Sequence, residues 1–167
     1  MDYNFYHKKF QSALDEIPKK KFDDAGLQLA VDAVLESIVL KIYKPGWSSD
    51  LQSPLNALSR IFFSVWISDQ SIAEGRIYYN IHAFKLRHLK GYKIASRSFA
   101  EVFRHEFLNH QKDWPNVEVK YGPLTLMQGW IELREDNIHS DLLLLAKNFL
   151  KSSPLIDETL QRYKVTK

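Results

Sequence analysis

Six histidines and no cysteine bound the chemistry this chain can do. Imidazole is on offer, but there is no thiolate to act as nucleophile or soft metal ligand, and no disulfide to staple a fold. Two of the histidines stand in the run His105-Glu106-Phe107-Leu108-Asn109-His110. A helical zinc site of the protease kind needs histidines four residues apart with a glutamate beside the first. Here Asn109 holds the required position and the second histidine follows one residue later. A step of five residues turns a helix by about 500° and aims the two rings about 140° apart. They cannot share a tetrahedral ion, and no metal site is expected. Both suit a helix end, where the dipole favours a cation.

His82 has a different setting. Ile77, Tyr79, Ile81 and Ala83 alternate with Tyr78, Asn80, His82 and Phe84, the two-residue period of a strand. Extended to Leu86, that strand puts a phenol, an amide and an imidazole on one side. Such a face suits a small polar or anionic ligand. A half-exposed sheet face with satisfied hydrogen bonds is the plainer alternative. Gly129-Trp130, within a later strand, is a bend that lets the indole pack or roof a pocket. Lys85 and Arg97 are the cations expected to meet an anion there. The candidate ligand-binding set is therefore His82, Lys85, Arg97 and Trp130, with no residue assigned a catalytic role.

Other signatures are missing. The six glycines are too scattered to form a phosphate-cradling loop, and there is no Gly-x-Ser-x-Gly elbow. The pairs Asp23-Asp24 and Glu135-Asp136 sit where helices should start, where capping and dipole effects account for them. No cofactor is expected.

Charge is unevenly placed. From Arg76 to Arg104 there are seven cations against one anion, Glu101. That window carries +6 and, with +3 overall, the remainder −3. The stretch either neutralises phosphates, with Tyr78 and Tyr79 as stacking faces, or keeps an edge strand and turn soluble. Nucleic-acid binders usually carry a larger overall excess, so the second account is preferred.

These residues must be positioned by a fold, and 167 residues with 45% hydrophobic and 26% charged content suit one globular domain. Tyr6, Phe10, Ala13, Leu14 and Ile17 recur at helical spacing up to Pro18. Leu27, Ala30, Val31, Val34, Leu35, Ile38 and Ile42 predict a second helix from Asp23 or Asp24 to about Tyr43, ended by Lys44-Pro45-Gly46. Ser53-Pro54 is a good helix start. The run 60–67 fits helix or strand, and helix is preferred. After the strand at 76–86, a short strand is expected over 92–95. Ser98-Phe99-Ala100-Glu101 opens a helix to about His110. Strands follow at 117–121 and 124–133, then a helix over 137–150 and a charged tail with helical character. The predicted fold is α+β: one domain over 1–167, with a helical front (1–70), an α+β part (75–150) built on a small, mostly antiparallel sheet, and a tail (151–167) completing two C-terminal helices.

The second half also resembles a small domain family described as a luciferase domain. The likeness runs through Gly75-Arg76-Ile77-Tyr78-Tyr79-Asn80-Ile81-His82, then Ser98-Phe99-Ala100-Glu101-Val102-Phe103-Arg104. It continues through Gly129-Trp130-Ile131-Glu132-Leu133 and Asp141-Leu142-Leu143-Leu144-Leu145-Ala146. It implies the order strand, helix, Gly-Trp strand, apolar helix over about 75–150. The family pattern pairs histidines on the first strand and places another before the Gly-Trp strand. This chain keeps only His82 and has Leu126-Met127-Gln128 before Gly129. The likeness implies no activity.

Three functions remain open: a module for a small anionic ligand or an accessory domain, an enzyme using His82 for acid–base chemistry, and an adaptor for nucleic acid or an acidic partner through 76–104. A homodimer through the helical front fits any of them. The first residues lack a secretory pattern and no apolar run approaches the ~20 residues of a membrane span, so a cytoplasmic, membrane-free protein is expected.

Overall fold

Residues 28–48 form a hairpin, where a helix is predicted as far as about Tyr43. Leu29, Val31 and Ala33 on one arm face Ile42, Leu40 and Ile38 on the other. Each arm alternates, and the turn between them resets the phase. Of the seven apolar residues that space as one helical stripe, Ala30, Val31 and Val34 lie on the first arm and Ile38 and Ile42 on the second, while Leu27 precedes the hairpin and Leu35 is in its turn. The computed structural model describes residues 1–166. Its single sheet is antiparallel throughout and follows chain order: β1 (Gln28–Val34), β2 (Ser37–Ser48), β3 (Arg60–Ser68), β4 (Arg76–Phe84) and β5 (Thr125–Glu132).

The α+β class holds, with two helices at the C-terminus, but the front is only partly helical. It contains α1 (Tyr3–Glu16), α2 (Lys19–Asp24) and, after β3, α3 (Asp69–Ala73). Ser53-Pro54 starts a single 3-10 turn over Pro54–Asn56 rather than a long helix, and 60–67 is strand. The remaining helices, α4 (Ser96–Phe107), α5 (Ile138–Ser152) and α6 (Pro154–Gln161), lie close to their predicted places. The strands expected at 92–95 and 117–121 shrink to single bridges, Tyr92 with Lys164 and Glu118 with Gln128. Among the described residues no helix is long and apolar enough to cross a membrane.

All helices of eight residues or more bury their apolar stripes against one face of the sheet. Ile38, Leu40, Phe63, Val65, Tyr79 and Ile81 point into a core shared with Phe10, Phe103, Leu142 and Phe149. Phe63 stacks on Phe149 with ring centroids 4.5 Å apart. Burying each such ring stabilises the fold by about 1.5–3 kcal/mol. Gly129 is required at its position because it pairs with Tyr79, and a Cβ there would overlap the Tyr79 ring and hydroxyl. Tyr79 Oη is thereby free to donate to the Pro115 carbonyl at 2.6 Å. Arg104 Nε and Nη2 donate to the carbonyls of Leu126, Tyr121, Gly122 and Thr125, pinning the approach to β5 against α4. At the other end of the sheet, Asp157 of α6 accepts from Trp47 Nε1 at 2.8 Å and from Lys44 Nζ at 2.6 Å.

Candidate functional site

Because strands alternate, the residues between those core positions must all emerge on the opposite face, which carries no helix of the core. Cross-strand register arranges them in rows. Val39, Trp66, Tyr78 and Trp130 form one; Lys41, Ser64, Asn80 and Gln128 form the next; Phe62 and His82 form a third, and Arg60 and Phe84 a fourth. The middle row is polar and internally bonded. Ser64 Oγ donates to Asn80 Oδ1 at 2.6 Å, and Asn80 Nδ2 to Gln128 Oε1 at 3.3 Å.

The face is concave, with a cavity of about 460 Å³ whose lining includes Lys41, Arg60, Phe62, Trp66, His82 and Phe84. That volume is within the range of small-molecule sites. Aromatic rings pave one end: Phe62 lies 4.9 Å from His82, and His82 stacks on Phe84 at 5.1 Å. Lys41 Nζ stands 5.2 Å above the Phe62 ring, and the Arg60 guanidinium 5.7 Å from Phe62 and 4.8 Å from Phe84. No Asp or Glu lines the cavity. The charged side chains lining it are therefore two cations in a partly dry setting, with Asp32 on β1 acting on Lys41 from outside the lining.

Their state follows from burial. Desolvation pulls Lys41 below the ordinary lysine value, with Asp32 on β1 working against the shift. Burial, followed by repulsion from Lys41 and Arg60, lowers His82 to about 4. His82 is thus neutral at pH 7. Its Nδ1, like Arg60 Nε, is buried without a hydrogen-bond partner, and such orphans are uncommon in folded proteins.

Of the four residues singled out from sequence, the structure brings two to this face. His82 lines the cavity. Trp130 shares the face, but lies beyond Tyr78 with the Arg76 guanidinium 3.9 Å over its ring, outside the cavity. Lys85 follows the last residue of β4 in a left-handed conformation (φ 47°) and is exposed away from the cavity. It ends the strand at Phe84, and Leu86 turns into the core instead of joining the His82 face. Arg97 is on α4 beside Glu101, Arg104 and Tyr121, on the helical side of the sheet. The cations that do flank His82, Lys41 and Arg60, lie in segments expected to be helical. Once 37–48 and 60–68 are strands, alternation alone places both on the open face.

His105 lies in the last turn of α4 and His110 beyond its end. Among the described residues no three His, Asp or Glu side chains converge in a way that could hold a metal.

No protein-family model, curated protein or solved structure matches this chain.

Proposed function

We propose that this protein is a binding module for a small organic anion, held on the open face of its sheet. The observation that carries the proposal is the pair Lys41 and Arg60 around Phe62, in a cavity that no carboxylate lines. An anion between them would relieve the repulsion between two half-desolvated cations, and the rings of Phe62, His82 and Phe84 would cover its organic part. Acid–base catalysis by His82 is less favoured. An imidazole held near 4 is a weak base at neutral pH, and no carboxylate orients it.

Fluorescence titration with anilinonaphthalene sulfonate tests the proposal, since that probe joins an anion to an aromatic body. Lys41→Met and Arg60→Met keep the aliphatic stems and remove the charges. Each should weaken binding about tenfold or more, the scale of one charged hydrogen bond. Wild-type affinity should also fall as salt rises. Equal affinity in wild type and both variants would remove the proposal.

A further inference from the structure

The two ends of the open face differ in kind. Arg60 and Trp66 are six residues apart on β3, about 20 Å along a strand. At the Arg60 end stand the cations. At the Trp66 end the lining is Val39, Trp66, Val34, Leu35 and Ser37; Asp32 stands opposite Val39 on β1 but outside that lining.

Leu35 is the unusual member. It and Glu36 are the two residues joining β1 to β2, and both have positive φ, 47° and 63°. A two-residue hairpin turn of this hand favours Asn-Gly, because an ordinary side chain is strained there. Leucine at such a position has neither the small side chain nor the local hydrogen bond that would excuse it. Nor does it contribute to the core: it is 93% exposed. An exposed leucine by itself means little. One held in a strained turn at the lip of a cavity, adding to an apolar end, has a local cost with no return inside the protein, and such strain tends to cluster at ligand clamps.

We infer that the ligand is an amphiphilic anion, with its charged head between Lys41 and Arg60 and an apolar tail running over Val39 and Trp66 to Leu35 at the hairpin tip. The inference rests on the open face being an anion site. Lys41 and Ser37 are four residues apart on β2, so the tail spans about 13 Å to reach the turn. The polar row of Ser64, Asn80 and Gln128 satisfies its own hydrogen bonds in part, so an apolar tail can cross it without breaking a bond.

The probes are hexanoate, octanoate, decanoate and dodecanoate, each below its micelle concentration and measured by calorimetric titration, with decyltrimethylammonium as a head-group control. Wild type should bind about fourfold more tightly for each added methylene, equivalent to ~0.8 kcal/mol per buried CH₂, and should not bind the cationic amphiphile. The double variant Leu35→Asn with Glu36→Gly installs the favoured turn, so its melting temperature should be equal or higher. It should bind hexanoate as wild type does but dodecanoate at least tenfold more weakly. Leu35→Ala, which leaves Glu36 in place, should show the same chain-length-dependent loss to a smaller extent. A flat chain-length series in wild type, or a folded double variant with unchanged dodecanoate affinity, overturns the tail assignment alone. If Lys41→Met and Arg60→Met bind hexanoate and dodecanoate as well as wild type does, the anion site itself falls.

Discussion

At the scale of single residues, His82 shows how an imidazole can be made insensitive to neutral pH by burial first and by its charged neighbours second. Every charged group facing it is a cation: Lys41 from β2 and Arg60 from β3. On β5 its cross-strand partner is Thr125, and Gln128 lines the same cavity. In the unfolded chain it titrates at the ordinary 6.5, whereas in the fold it stays neutral down to about 4. Below pH 6.5 the unfolded state therefore takes up a proton that the folded state refuses. The contribution to stability is intact above 6.5, declines as pH falls, and is fully lost below about 4. The whole effect is at most ~3 kcal/mol, less whatever solvent reaches the ring. Urea unfolding at pH 7 and pH 4.5 should show the wild type losing more stability than His82→Phe, which keeps an aromatic ring against Phe62 and Phe84. Equal losses in the two proteins would mean that His82 already has a proton acceptor in the fold.

At the scale of elements, what could be read from sequence depended on how clean each periodicity was. The strand β4 was legible because Ile77, Tyr79, Ile81 and Ala83 are all buried, and α1, α4 and α5 because their apolar stripes are long. The hairpin β1–β2 was not, because Leu35-Glu36 gives no turn signal. Without one, the apolar positions of two arms run on as a single helical stripe. In β3 the inward Ile61, Phe63, Val65 and Ile67 are separated by Phe62 and Trp66, which face the cavity. The residues that make the site are those that hid the strand, and with it Arg60. Sequence periodicity is also blind to docking between elements. Nothing in the spacing indicates that Asp157 on α6 holds both Trp47 and Lys44 at the end of β2. That contact makes a graded prediction. Asp157→Ala leaves the buried Trp47 N–H without an acceptor and should cost about 1–3 kcal/mol. Asp157→Asn keeps an oxygen for Trp47 while losing the partly exposed pair with Lys44, so its loss should be the smaller of the two. Chemical denaturation of both variants checks the order, and an equal loss would show that the charge pair, rather than the indole bond, anchors α6.

At the scale of the whole molecule, a five-stranded meander in chain order has one centre and two margins, and the margins are not alike. β3 is flanked on both sides, and six of its nine residues are buried. β5 has its outer edge partly covered, since Glu118 exchanges two backbone hydrogen bonds with Gln128 at 2.7 and 3.0 Å. β1 pairs only with β2, none of its seven residues is fully buried, and it ends in the strained turn. Local opening should therefore begin at the hairpin and leave the centre for last, since protection follows buried contacts and paired backbone. Hydrogen exchange read by mass spectrometry should find β3 and β4 amides opening only with global unfolding. Those of β1 should open at far lower free energy, and the amide of Gln128 should be slower than an edge strand would suggest. The tail of an amphiphilic anion would lie against Val39 and Leu35, so a bound long-chain carboxylate should slow the locally opening amides of β1 and the start of β2, and should slow β3 as well, by the amount that binding adds to global stability. Uniform protection across the sheet without ligand would mean that the free edge and the strained turn are held by contacts other than those of this fold.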